Sequence, residues 1–240
     1  MTIKTNDLTI YDKAADRWWS DDIRWVRTLK NMVPARLKYF DEFIEWKGAN
    51  VLDVGCGGGF MAEALARRDA KVTGIDPAAK AIGAAVTHAQ YSCLNISYNV
   101  GNGENLPFAD EAFDVVVCVD VLEHVLDLNK LLAQVARVLC PGGVFVFDTI
   151  NRNLLASLVI VKLAEKVLKL LPHGTHDPTM FIRPEELRKS LANVMLHAGP
   201  FVGLGPTGIN RRGDLTFGRW PGTAVSYLGM AQKQEIARVC

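Results

Sequence analysis

Residues 51–60, "VLDVGCGGGF", decide how this chain folds. An apolar run (Val51, Leu52, Val54) stops in a cluster of glycines, and from Gly55 to Gly59 only Cys56 carries a side chain. Such a run, bounded by turn residues, reads as a buried strand. The glycines after it leave backbone open to close approach by a ligand, and the helix starting near Phe60 turns its free amides toward the same loop. A dinucleotide-binding turn would read G-x-G-x-x-G, its third glycine allowing close helix–strand packing. Counted from Gly55 this one reads G-C-G-G-G-F, with Phe60 at the third-glycine place.

Working outward, strand and helix patterns alternate. Strand 49–54 leads into a helix from 60 to 68, and strand 70–76 into a helix ending near 89. Strands at 96–100 and 112–119 follow, then a helix over 127–139. "CPGG" (140–143) turns the chain into strand 144–150, a helix is expected at 184–197, and two late strands near 214–218 and 224–231. Near-continuous Val/Ile/Leu strands separated by helices indicate a parallel sheet covered on both faces. The expected fold is α/β and doubly wound, a mostly parallel seven-stranded sheet in a single domain. Residues 1–48 form an N-terminal helical cap of two helices broken near Pro34. Residues 49–150 form the cofactor-binding core, 151–183 a helical insertion after strand 5, and 184–240 the closing helix and strands.

The second strand ends in Asp76, 21 residues after Gly55, where an acid can grip a ribose hydroxyl pair. Loop and acid together indicate a nucleoside, but no pyrophosphate fingerprint is intact. S-adenosylmethionine fits, having a ribose, an adenine and an amino-acid tail but no phosphate. The candidate cofactor-binding residues at these strand ends are Asp53, Gly55, Cys56, Gly57, Asp76 and Pro77, then Asn102, Gly103 and Glu104 in "GNGENLPF" (101–108), where an adenine edge would rest.

Composition narrows the alternatives. The 240 residues are 49% hydrophobic and 22% charged with a net charge of +1, which gives no basic footprint for nucleic acid. Five cysteines, none spaced C-x-x-C, argue against a disulfide framework or thiolate zinc site and for a reducing compartment. The N-terminal residues contain no apolar signal core, so a cytoplasmic protein is expected.

In "VLDVGCGGG", "GID", "NLPF", "FDVVVCVDVLEHV" and "LCPGGVFVFDT" the chain resembles the class I S-adenosylmethionine-dependent methyltransferases. Its flanks, "AADRWW" (14–19), "PARLKYF" (34–40), "TINRN" (149–153), "LLPHGTHDPTMFIRPEEL" (170–187) and "SYLGMAQK", resemble the ubiquinone-biosynthesis O-methyltransferases. That family methylates catechol-type hydroxyls on polyprenylated quinone precursors. The resemblance implies that Arg36, Gly55, Asp76 and Val119 touch the cofactor, Arg36 meeting its carboxylate; the other reading of Arg36 is a solvated cap residue. Many relatives carry an acid where Asn102 stands. The resemblance also implies a divalent cation such as Mg²⁺ on an E-x-x-E-H pattern, here Asp120, Glu123 and His124. These would converge if residues 120–124 begin a helix, while "LEH" alone can simply shape the floor of an active site.

Methylating a phenol-like hydroxyl of pKa about 10 at neutral pH needs a base or a metal. His124 is the first candidate base. His176 and Asp177 in "GTHDP" are the second, His176 serving equally well as a structural turn residue. His88, His173 and His197 are read as surface or packing residues. The acceptor expected is an apolar hydroxylated ring. Within 154–171, Lys162, Glu165, Lys166 and Lys169 share one helical face and the rest is apolar or small, which suits either a membrane surface or a lid packed on the domain. A peripheral location at the inner face of the membrane follows from the first option.

Overall fold

The computed structural model describes residues 9–160 and 176–235. Among these, an eight-stranded sheet runs in the order β3-β2-β1-β4-β5-β8-β6-β7. Its strands are β1 Asn50–Val54, β2 Lys71–Asp76, β3 Ile96–Val100, β4 Phe113–Cys118, β5 Leu139–Ile150, β6 Leu196–Ile209, β7 Leu215–Trp220 and β8 Ser226–Lys233. β1 to β5 are parallel, and β8, β6 and β7 add antiparallel.

The glycine-ended run is the central strand, with Val51 facing Val72 on one side and Val115 on the other. Its side chains alternate between two cores. Val51 packs with Val117, Val146, Phe40 and Leu65, whereas Leu52 and Val54 pack with Val116, Phe145, Leu131 and Leu132. The helices are α1 Thr9–Ala14, α2 Arg24–Phe40, α3 Phe60–Ala66, α4 Ala79–Tyr91, α5 Leu128–Val138, α6 Leu154–Ser157 and α7 Pro184–Asn193. Asp127 caps α5 by accepting the amide of Lys130.

Three local expectations differ from the structure. Pro34 lies inside α2 and does not break it. The lost amide bond is outweighed by burial of Val26, Val33, Leu37 and Phe40, and the chain turns instead near Asp21, whose φ is 59°. The helix expected to run to 197 ends at Asn193, and the next residues open an eighth strand, β6. Its glycines and prolines hide it, since such residues are poor in strands. They are there because Cβ atoms at Gly203 and Gly205 would strike the Gly222 carbonyl and the Trp220 ring. Of the insertion only 154–160 and 176–183 are described, so the lysine-bearing face and His173 lie outside the described residues.

The cap folds back over the glycine loop. Trp18 is 3% exposed, edge-on to Trp25 at 5.9 Å and tilted against Phe60 at 5.7 Å. A Cβ on Gly58 would lie 2.3 Å from the Trp18 ring, so this glycine is bare for the tryptophan. Gly58→Ala should therefore cost about 1–3 kcal/mol by overpacking, and Trp18→Ala about 3–5 kcal/mol by cavity formation. In the Trp18→Ala background the alanine at 58 should cost almost nothing. Urea unfolding of the two single variants and the double variant reads this coupling directly.

Candidate functional site

The carboxyl ends of β1, β2 and β4 and the residues following β3 meet the cap around a cavity of about 290 Å³. The order reverses between β1 and β4, the place where open α/β sheets form ligand crevices. Every residue expected to touch the cofactor lines this cavity: Arg36, Asp53, Gly55, Cys56, Gly57, Asp76, Pro77, Asn102, Gly103, Glu104 and Val119.

Gly55, Gly57 and Gly59 have φ of 74°, 50° and 93°, a conformation only glycine takes without strain. The loop is tied to β2, because Gly55 and Cys56 both donate their amides to the Ile75 carbonyl. Asp76 points at the loop. One of its oxygens accepts the Gly57 amide at 2.9 Å and the other the Ala78 amide at 2.8 Å. Burial raises its carboxyl above the usual carboxylate range, against the pull of those two amides.

Asp53 is fully buried and neither of its oxygens has a hydrogen-bond partner. Burial, then the charge of Asp76, pushes its carboxyl up to about 7, with Arg36 and the amide dipole of Ala62 pulling the other way. Asn102 uses its side-chain oxygen locally, accepting the Glu104 amide at 2.9 Å, and Glu104 in turn accepts the Asp127 amide. The Cys56 thiol is raised by burial and is no nucleophile.

On the far wall, residues 119–124 do not begin a helix. They form a tight turn in which His124 donates its amide to the Val121 carbonyl, and Asp120 is left-handed with φ 55°. That geometry corrects the expected metal set. Asp120 turns to Arg36, 2.5 Å away. Glu123, His124 and His176 are the group that converges, their ligand atoms all within 4.8 Å of one another. The His124 and His176 rings lie 5.1 Å apart. Glu123 accepts the Thr149 hydroxyl at 2.8 Å, and burial, then the charges of Asp120 and Asp148, push its carboxyl up to about 8. Asp177 caps a short 3-10 turn, accepting the amide and hydroxyl of Thr179. One carboxylate and two imidazoles make a donor set that suits Zn²⁺ or Mn²⁺ better than Mg²⁺.

Arg36 is not solvated. It is 2% exposed and paired to both Asp120 and Asp148. His88, read as packing, stacks on Trp19 at 3.5 Å and bonds the buried Glu63. Sequence reasoning missed Tyr11, Trp18, Leu29 and Val33, which line the cavity from the cap, and it missed Asp148 and Thr149. Cap residues sit far from the strands in sequence, and no spacing rule says where they land.

With this geometry in view, comparison with known proteins is decisive. Residues 52–147 match the methyltransferase domain family. The ubiquinone biosynthesis O-methyltransferase of Coxiella burnetii (strain RSA 331 / Henzerling II) is 42% identical over 185 residues, covering 77% of this chain and 79% of that protein. The protein of the same name from Alkalilimnicola ehrlichii is 38% identical over 232 residues, covering 96% and 92%. The chain belongs to the ubiquinone biosynthesis O-methyltransferase family. It is an S-adenosylmethionine-dependent O-methyltransferase. Solved structures share the fold at low identity. Magnesium protoporphyrin IX methyltransferase from Synechocystis PCC 6803, with bound SAH, superposes with a TM-score of 0.67 at 18% identity, covering 95% of this chain and 96% of that one. A SAM-dependent methyltransferase from Aquifex aeolicus gives 0.59 at 19%, covering 83% and 93%. Among the described residues no helix is long and apolar enough to cross a membrane.

The orphaned Asp53 has a measurable consequence. Its folded-state pKa of about 7 lies above the unfolded 3.8. Between those values the unfolded chain has lost the proton and the folded chain keeps it, so stability falls as pH rises through that window. Asp53→Asn should flatten this fall and gain a few kcal/mol at pH 8, while weakening cofactor binding. Urea midpoints from pH 4 to 8 for both proteins check it.

Proposed function

We propose that this enzyme methylates a catechol-type hydroxyl on a polyprenylated quinone precursor, with the donor held by the glycine loop and the acceptor presented to the turn at 119–124. The observation that carries this reading is the position of Asp76. Its carboxylate is fastened to the glycine turn by two backbone amides, with lone pairs remaining for a ribose hydroxyl pair. Asp53, Gly55, Cys56, Gly57, Pro77, Asn102, Gly103, Glu104 and Val119 complete the donor wall. The unpartnered Asp53 carboxylate suits the donor's ammonium group, and Arg36 the donor's carboxylate. The names of the relatives support the acceptor class.

The donor supplies a methyl group already activated by its sulfonium charge. This chain's residues position the two reactants and move one proton. As the acceptor oxygen forms its bond to the methyl carbon and the carbon–sulfur bond breaks, the phenolic proton passes to His124, leaving a methyl ether, a neutral thioether and an imidazolium. His176 stands beside His124 as second base, and Asp177 shapes the turn that carries it. Alternatively Glu123, His124 and His176 would hold a divalent cation, and the metal, in place of a free imidazole base, would lower the pKa of the acceptor hydroxyl. Leu154, Leu155 and Leu158, at 91%, 50% and 51% exposure, open the insertion with apolar surface. They support contact of 154–171 with a membrane surface where such an acceptor resides.

Calorimetry should show S-adenosylmethionine binding, weakened more than tenfold by Asp76→Ala. Methyl transfer to a prenylated catechol should fall 10²–10⁴-fold in His124→Ala and fall on chelation. Activity only on water-soluble phenols would replace the acceptor class. Replacing Leu154, Leu155 and Leu158 with Ser should reduce co-sedimentation with anionic liposomes while the circular dichroism stays unchanged; undiminished co-sedimentation would remove the membrane role.

A further inference from the structure

Two consecutive residues at the carboxyl end of β5 grip the turn at 119–124 from opposite faces of the sheet. Asp148 follows Val146 on the cap side and Thr149 follows Phe147 on the other. Both are 2% exposed. Thr149 donates its hydroxyl to Glu123. Asp148 uses both carboxylate oxygens: one accepts the backbone amide of Asp120 at 2.7 Å and the other accepts Nε–H of Arg36 at 2.6 Å. A terminal nitrogen of Arg36 returns to the Asp120 carboxylate at 2.5 Å, closing a ring of three residues drawn from α2, β5 and the turn.

Asp120 needs that ring. Its φ of 55° is uncommon for a residue with a side chain, and such a backbone persists only where its surroundings over-determine it. The residue on each side of it faces the cavity. Val119 lines the wall, and Val121 packs where a Cβ on Gly55 would stand, 2.1 Å away. The ring therefore joins three things: the guanidinium assigned above to the donor's carboxylate, the left-handed residue of the turn, and the start of the segment carrying Glu123 and His124.

We propose that Asp148 is a positioning residue for methyl transfer, registering the acceptor turn against the donor wall by holding the Asp120 amide and the Arg36 guanidinium at once. It touches neither reactant. It acts through Asp120 and Arg36, and the inference rests on the methyl-transfer reading of the cavity.

An amide in its place offers one acceptor where the carboxylate uses two, and its NH₂ faces a donor. Asp148→Asn should therefore release one arm of the ring at nearly constant volume. The expected results are a kcat lower by about 10–100-fold, an S-adenosylmethionine dissociation constant within about threefold of the parent, and amide exchange across 119–124 at least tenfold faster while β1 and β4 stay protected. A merely structural residue would loosen the whole fold, so that exchange in β1 and β4 would quicken together with that at 119–124. Parental kcat with parental exchange at 119–124 overturns the proposal, as does a loss of turnover matched entirely by lost donor affinity. If Asp148→Asn fails to fold, Asp148→Ser, which keeps one short acceptor, is judged by the same two readouts. Should the parent protein itself bind no donor, the methyl-transfer reading fails; a competent parent with an indifferent Asp148→Asn variant sinks only the positioning role.

Discussion

The loop between β1 and α3 is held in shape from outside itself. Apart from Cys56 it has no side chain between Gly55 and Gly59, three of its glycines occupy left-handed backbone, and one internal hydrogen bond runs from the Gly59 amide to the Cys56 carbonyl. Each neighbouring element supplies a constraint. β2 contributes the Ile75 carbonyl and the Asp76 carboxylate. The cap contributes Trp18 against Gly57 and Gly58, the turn after β4 contributes Val121 against Gly55, and β3 contributes Tyr98 against Gly59. The glycines are bare partly because Trp18, Val121 and Tyr98 need the room. What remains open to a ligand is the cavity side of the loop, framed by Asp53 and Asp76.

That frame sets the electrostatics. Among described residues the cavity lining carries Asp53, Asp76, Glu104 and Asp120 against one cation, Arg36. Arg36 is already neutralised by Asp120 and Asp148. Burial raises both Asp53 and Asp76, and a cation arriving beside them would favour their ionised forms. A ligand bearing a sulfonium and an ammonium, in the reading proposed here, would relieve the cost of the buried carboxylates. The thioether left after transfer has lost the sulfonium charge and relieves less of it. On that reading the buried carboxyls favour the donor over the spent product.

Legibility from sequence followed the range of the interactions. The parallel core was readable because its signals are local: apolar runs of strand length, a glycine turn, and an acid at the end of the next strand. Asp76 was found by spacing alone, and it does point at Gly57. Failures came where distant partners override local preference. Pro34 sits mid-helix because the buried face of α2 outweighs one lost hydrogen bond. β6 hides behind glycines that Trp220 and Gly222 require. Asp120 was grouped with Glu123 and His124 on helical spacing, but a left-handed residue sends its carboxylate to Arg36, and His176 arrives in its place from more than fifty residues away.

The boundary of the family match bears on how the two halves of the site arise. It ends at residue 147, one residue before Asp148. Inside it lie the glycine loop, Asp76 and the turn at 119–124. Outside it lie Tyr11, Trp18 and Arg36 from the cap, Asp148 and Thr149 from the end of β5, and His176 from beyond the insertion. These residues cover the loop, hold the turn and complete the histidine pair. Two anchors of the segment bearing Glu123 and His124 are on the last residues of β5: Asp148 holds the Asp120 amide and Thr149 bonds Glu123. In the proposed reading, the turn to which the acceptor is presented lies inside the matched stretch, and the side chains that hold it lie just beyond its end.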